Sequence, residues 1–188
     1  MPTRYWWVLT VIAPVKQVIE KCEALGIKPA NQLLVVHVAT QTLQHYRDGA
    51  LVRAYAISTS LRPPSSAKGS LGTPLGLHAI AEKIGHGQPP GMVFQARVST
   101  GRHFSEFGPE LNRENFVTSR ILWLHGLEPA LNQGGEVDSH DRYIYIHGTN
   151  HEERIGTPQS AGCVVMRNLD VVELFEEIRT GDQVWIAE

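Results

Sequence analysis

Two side chains near the C-terminus could carry out covalent chemistry together. His147 lies near the end of the run "YIYIHG", and Cys163 follows after fifteen intervening residues, in "SAGC". The segment between them holds Gly156, Pro158, Ser160 and Gly162, so it can fold back and bring thiol to imidazole. A free thiol has a pKa of about 8.5, and a neighbouring imidazolium lowers it, raising the share of nucleophilic thiolate at neutral pH. Gly162 would allow a sharp turn and bring N–H groups close to an attacked carbonyl. Spacing alone leaves a structural cysteine open, and also a metal site on His147 and His151 with Glu152 and Glu153 beside them. Zinc is the weakest reading, because Gly148 and Asn150 separate the histidines directly after a strand pattern and no HExxH motif is present.

The elements that must position this pair are mostly strands. Val15, Val18, Ile19, Cys22 and Leu25 recur at helical spacing before Gly26, which predicts a helix over 14–25 with Cys22 as a small core residue. From Leu33 the period changes. "LLVVHVA", "TLQHYR" and "ALVRAYAIS" read as strands, the last two joined by an Asp48-Gly49 hairpin turn. Residues 61–76, rich in Pro, Gly and Ser, read as a loop; "LHAIAEKI", "GMVFQARVS", "RILWL", "RYIYIHG" and the closing "QVWIA" each read as one strand. Asn168 is expected to cap a helix that has Asp170 in its first turn and Leu169, Val172, Phe175 and Ile178 on one face. About eight to ten short strands against two helices predict a mainly β protein, an antiparallel sandwich or barrel. The 61–76 loop and the 100–142 region are the expected cleft walls.

Composition removes several functions. A net charge of −2 speaks against a nucleic-acid partner, whose affinity would come from phosphate neutralisation. Only two cysteines, in different contexts, speak against a disulfide framework. The apolar run Arg4–Val15 imitates a signal peptide, but Pro14 and the charged "KQVIEKCEAL" follow where a cleavage site would lie, and the run is too short to span a bilayer. A cytoplasmic protein with no membrane partner and no cofactor is expected.

Several of these residues together carry a resemblance. "LLVVHVATQTLQHYRDGALVRAYAIST", "GSLGTPLGLHAI", "DSHDRYIYIHGT", "IGTPQSAGCVVMRN" and "VVELFEEIRTGDQVWI" resemble, in order, the YkuD-type L,D-transpeptidase family of bacterial cell-wall enzymes. The resemblance implies a catalytic domain over 33–188, preceded by a helical extension over 1–32 that packs on it. It makes Cys163 the nucleophile, His147 its base and the Gly148 carbonyl the group that orients the imidazole, with the Gly162 and Cys163 N–H groups as oxyanion donors. The implied substrate is a muropeptide or stem peptide, attacked at the carbonyl of the third-position diamino acid with loss of the terminal D-alanine. The family signature Ser-His-Gly-Cys, then a hydrophobic residue, then Arg or Asn, is altered here at Ala161 and Val165. Loss of two polar side chains beside the nucleophile fits an acyl group handed to water, hence an L,D-carboxypeptidase of murein recycling. An exported L,D-transpeptidase and an inactive muropeptide-binding module are the alternatives.

Arginine can recognise the carboxylates of such a substrate by paired hydrogen bonds. Arg97 excepted, the arginines beyond Lys83 are Arg102, Arg113, Arg120, Arg142, Arg154, Arg167 and Arg179. Arg142 and Arg154, which flank the catalytic loop, are the expected substrate contacts, with Ser160 and Thr149. Thr157 could serve as well. His78 and His125 are expected at the core or the cleft rim, and Trp6, Trp7, Trp123 and Trp185 in packing positions.

Overall fold

The computed structural model describes residues 13–110 and 115–188. Trp6, Trp7, Arg113 and most of the Arg4–Val15 run lie outside the described residues. Helix α1 (Ala13–Leu25) precedes six strands: β1 (Gln32–His37), β2 (Thr42–Arg47), β3 (Ala50–Ala56), β4 (Gly76–Ile84), β5 (Met92–Gln95) and β6 (Val98–His103). Then come β7 (Val117–Gly126), β8 (Tyr145–Gly148), β9 (Val164–Met166), helix α2 (Asn168–Glu177) and β10 (Gln183–Ala187). The mainly β expectation holds. Two parallel pairings, β1 with β10 and β8 with β9, interrupt an otherwise antiparallel sheet. No helix among the described residues is long and apolar enough to cross a membrane.

The sheet runs β3-β2-β1-β10-β4-β7, and β7 then pairs with both β5 and β8. β8 runs along one edge of this ten-residue strand from Thr118 to Trp123, while β5 at Val117–Thr118 and β4 from Ile121 to Gly126 share the other edge. A bulge between Thr118 and Ile121, with Ser119 at φ 64°, falls between those two contacts. Beyond β3, Ser58 exchanges backbone hydrogen bonds with Val165 of β9 at 2.8 and 2.7 Å, which curls the sheet back on itself. Inside the curl lie Leu34, Leu43, Ile57, Leu122, Ile146 and Val164, with Val171, Leu174 and Phe175 of α2 packed among them. Because strand side chains alternate, Ile121, Trp123, Tyr145 and His147 point the other way, where the first three join a smaller cluster with Met92 and Phe94. Helix α1 packs Val15, Val18 and Cys22 against Leu33, Val35 and Leu77.

Three sequence expectations change in detail. "GMVFQARVS" is two strands joined by a two-residue turn in which Ala96 and Arg97 both take left-handed backbone, at φ 46° and 68°. Such a turn normally uses Asn-Gly or Asp-Gly, as Asp48-Gly49 does between β2 and β3 (φ 51° and 79°), so the sequence carried no signal for it. Asn168 does not cap α2. Arg167 holds the extended N-cap backbone, Asn168 is the first helical residue, and its amide is turned inward. The buried face of α2 is Val171, Leu174 and Phe175, and Leu169 is 70% exposed.

Candidate active site

The parallel pair β8–β9 builds the site. Ile146 lies opposite Val164 and His147 opposite Val165, so one rung back Tyr145 lies opposite Cys163. The Tyr145 N–H donates to Cys163 Sγ at 3.4 Å, and the thiol donates to the Tyr143 carbonyl at 3.4 Å. His147 and Cys163 are therefore diagonal neighbours on one face, a spacing of roughly 7–8 Å between backbones that an imidazole can bridge. The fifteen-residue excursion is what makes this pairing parallel, since strands that run the same way need a crossover.

The imidazole has a fixed tautomer. His147 Nδ1 lies 2.7 Å from the Gly148 carbonyl, which can only accept, so Nδ1 carries the hydrogen and Nε2 keeps the lone pair. Gly148 has no room for a side chain: a methyl there would meet Asn168 Oδ1 at 2.7 Å and Thr118 Oγ1 at 2.8 Å. Asn168 is the hub behind it. Its Nδ2 donates to the Thr149 carbonyl (2.8 Å) and to Glu152 Oε1 (2.6 Å), while its Oδ1 accepts from Thr118 (2.6 Å) and Ser119 (2.5 Å). The side-chain type was visible at position 168, but its inward aim follows from the start of α2 meeting the β7 bulge.

Burial sets the protonation state. It pushes the Cys163 thiol up to about 11, against the opposing pull of the Tyr145 N–H and the Arg142 charge. It pushes His147 down to about 4, with the Gly148 carbonyl acting the other way. The free site thus holds a neutral thiol and a neutral imidazole, not the thiolate–imidazolium pair expected from the sequence. Alkylation of Cys163 by iodoacetamide should therefore rise about tenfold per pH unit from pH 7 to pH 10, since only about one thiol in 10⁴ is ionised at pH 7. A rate already level below pH 7 would mean an ion pair.

The "SAGC" turn is held from two sides. Ser160 Oγ donates to the Cys163 carbonyl at 2.6 Å and accepts from the Gly162 N–H at 3.2 Å. The Gly162 amide, expected to face an oxyanion, is thus engaged within its own turn. Gly162 sits at φ 124°, where a Cβ would lie 3.1 Å from Ile144 and 3.2 Å from the Gly72 carbonyl, so position 162 requires glycine. Gly72 belongs to the 61–75 loop, which Arg142 ties down through the carbonyls of Ser65 (3.1 Å) and Gly72 (2.7 Å) and the Ser70 hydroxyl (3.3 Å).

Each of the four expected substrate contacts has a partner within the protein. Arg142 holds the loop and lends its charge to Cys163; Ser160 holds the turn. Thr149, fully buried, donates to Asn115 at 2.8 Å. Arg154 pairs with Glu153 at 3.6 Å. His151 turns its Nδ1 to the Glu153 carboxylate at 3.3 Å, whereas His147 bonds Gly148, so the two rings serve different partners. His78 is a core histidine, bonded to Ser139 Oγ at 2.9 Å and the Gly76 carbonyl at 3.0 Å.

Comparison with known proteins agrees with this architecture. The chain is 45% identical over 56 residues to YqjB of Bacillus subtilis (strain 168), named as a candidate L,D-transpeptidase; the match spans 29% of this chain and 32% of that protein. An L,D-transpeptidase structure from Xylanimonas cellulosilytica shares the fold with TM-score 0.53 at 17% identity, covering 89% of this chain and 68% of that one. Mycobacterium tuberculosis L,D-transpeptidase 3, solved with a faropenem-derived adduct, has TM-score 0.53 at 12% identity, covering 84% of this chain and 60% of that one. The structure from Mycobacterium smegmatis has TM-score 0.50 at 17% identity, covering 85% of this chain and 59% of that one. The chain thus spans about a third of the curated relative and about three fifths of the mycobacterial structures. The family description for the YkuD L,D-transpeptidase catalytic domain matches residues 31–186, which include His147, Cys163 and all of the sheet but the last residue of β10, and the chain therefore belongs to the YkuD family.

Proposed function

We propose that this chain is a cysteine-dependent L,D-carboxypeptidase that removes the terminal D-alanine from murein tetrapeptides in peptidoglycan recycling. The observation that carries the chemistry is the parallel β8–β9 pair, which sets a thiol diagonally from an imidazole whose Nε2 lone pair is fixed by the Gly148 carbonyl. His147 Nε2 takes the Cys163 proton as sulfur attacks the carbonyl of the third residue. The oxyanion gathers on the Cys163 N–H, a kind of donor typically worth about 3 kcal/mol. His147 then gives its proton to the departing amine, D-alanine leaves, and a thioester remains. Water, deprotonated by the same Nε2, attacks the thioester; the tripeptide acid departs and the thiol regains its proton.

Hydrolysis is favoured over cross-linking by the two altered signature positions. Val165 is fully buried on β9 beside His147, and Ala161 offers no polar group, so neither side chain can order an acceptor strand. Transpeptidation is the second reading, favoured by the family match. The two separate when the purified protein receives a free tetrapeptide with an amine acceptor in competition. D-alanine release with tripeptide as the main product is expected; exchange or dimer products alone would replace hydrolysis by transpeptidation. We place the activity in the cytoplasm, where recovered muropeptides still carry D-alanine, and fractionation of cells checks it.

A further inference from the structure

Within the proposed reaction, one arginine passed over in the sequence now stands out. Arg97 sits at the tip of the β5–β6 hairpin, with its guanidinium 4.7 Å over the Trp123 ring and 5.1 Å over the Tyr143 ring. Its Nη1 donates to the Tyr145 hydroxyl at 3.3 Å. These rings line a pocket of about 240 Å³ with His140 and Asp141. The walls are built: the His140 ring stacks on Trp123 at 4.0 Å and 4°, and Trp123 Nε1 donates to the His140 carbonyl at 3.1 Å.

The pocket adjoins the nucleophile through both tyrosines. Tyr145 directs its backbone N–H at Sγ and its phenol at Arg97, so one residue touches both the thiol and the guanidinium. Tyr143 turns its carbonyl to the thiol and its ring to Arg97. Arg97 and Tyr143 both hold left-handed backbone, at φ 68° and 56°, a strain of about 1–3 kcal/mol each that non-glycine residues accept only where the surroundings fix them. Among the described residues, no carboxylate lies within ion-pair distance of Arg97. Arg142 is already tied to the loop, and Arg154 lies beside Glu153.

We propose that this pocket receives a substrate carboxylate, gripped by the Arg97 guanidinium, and so sets specificity next to Cys163. The aromatic rings hold the guanidinium plane and leave its other N–H groups for a two-pronged carboxylate contact that a lysine cannot copy. The carboxylate is that of the leaving D-alanine, next to the scissile amide, or that at the far end of the third residue's side chain.

The test measures kcat/KM for wild type, Arg97→Gly and Arg97→Lys, glycine being at ease in the left-handed backbone. Three peptides are used: the free-acid tetrapeptide with diaminopimelate third, its C-terminal amide, and the version with lysine third. Arg97→Gly is expected to lower kcat/KM on the first peptide about 30-fold, with only partial recovery in Arg97→Lys. The loss should shrink below about threefold on whichever peptide lacks the carboxylate that Arg97 binds, which identifies that carboxylate. Equal losses on all three peptides, or values within about twofold of wild type throughout, would overturn the proposal. If wild type acts on none of the peptides, the carboxypeptidase reading falls, and Arg97 is read from adduct formation on Cys163. A carbapenem, which bears a ring carboxylate, is then compared with its methyl ester. Slowing of the acid alone in Arg97→Gly supports the pocket, and equal slowing of both or of neither rejects it.

Discussion

In the proposed hydrolysis, His147→Ala is expected to lower D-alanine release about 10³-fold, and Cys163→Ala to abolish it, with the double variant no worse than Cys163→Ala alone. The first figure is the usual worth of a positioned general base and acid. It applies in full here because the Cys163 thiol, pushed up to about 11, is protonated at neutral pH and must lose its proton during attack. The residues act as one unit, so their losses do not add. The same neutral pair fixes the pH profile. His147 is pushed down to about 4, and protonation removes the lone pair it needs, so activity falls as pH falls through about 4 and stays level from about 5.5 to neutrality. An acid limb in kcat/KM near pH 6.5 would mean that burial does not lower His147, and a His147→Ala variant with wild-type turnover would remove histidine from this role. Release of D-alanine is followed by mass, and folding of each variant by its melting curve.

Asn168→Ala is expected to cost about 3 kcal/mol of stability and to lower Tm by roughly 6–12 °C. The amide is 6% exposed and meets four partners at once, so its loss leaves the Thr118 and Ser119 hydroxyls, the Thr149 carbonyl and the Glu152 carboxylate without it. Solvent reaches this site poorly because Thr118, Ser119 and Thr149 are themselves fully buried. Below its melting range the variant should also lose about tenfold in kcat, since Asn168 holds the Thr149 carbonyl and fills the space beside Gly148, whose own carbonyl sets the imidazole. Iodoacetamide reactivity of Cys163 should stay unchanged, because the Tyr145 N–H and the Tyr143 carbonyl that hold the thiol are not part of this network. A Tm within about 2 °C of wild type would show that Asn168 is not a hub.

The local signals that held in the structure are those a short stretch can encode alone. Asp48-Gly49 makes its turn because both residues tolerate left-handed backbone, and β2 and β10 begin and end where the alternation does. The hairpin at Ala96-Arg97 was missed for the converse reason. Nothing in Gln-Ala-Arg-Val favours that conformation; stacking of Arg97 on Trp123 and Tyr143, from distant segments, supplies the compensation. Phe175 and Ile178 of the expected α2 face are buried, but Leu169 is not, because it satisfies the helical period as well as Val171 does and only docking against the curled sheet chooses between them.

Sequence by itself named the candidate pair and its glycines, through the family resemblance it carries: a thiol and an imidazole with fifteen residues between them, Gly148 after one and Gly162 before the other. Side-chain chemistry and backbone freedom belong to residue types, so they are readable without coordinates. Only the tertiary structure decided what each polar group is committed to. Burial between β7, β8 and β9 made the pair neutral, where the spacing had suggested an ion pair. Packing also bound Arg142 and Ser160 to backbone carbonyls, turned Asn168 inward, and left Arg97 on an aromatic wall beside the thiol. Desolvation and hydrogen-bond pairing depend on which distant segments meet, and that is fixed by the folding of the whole sheet.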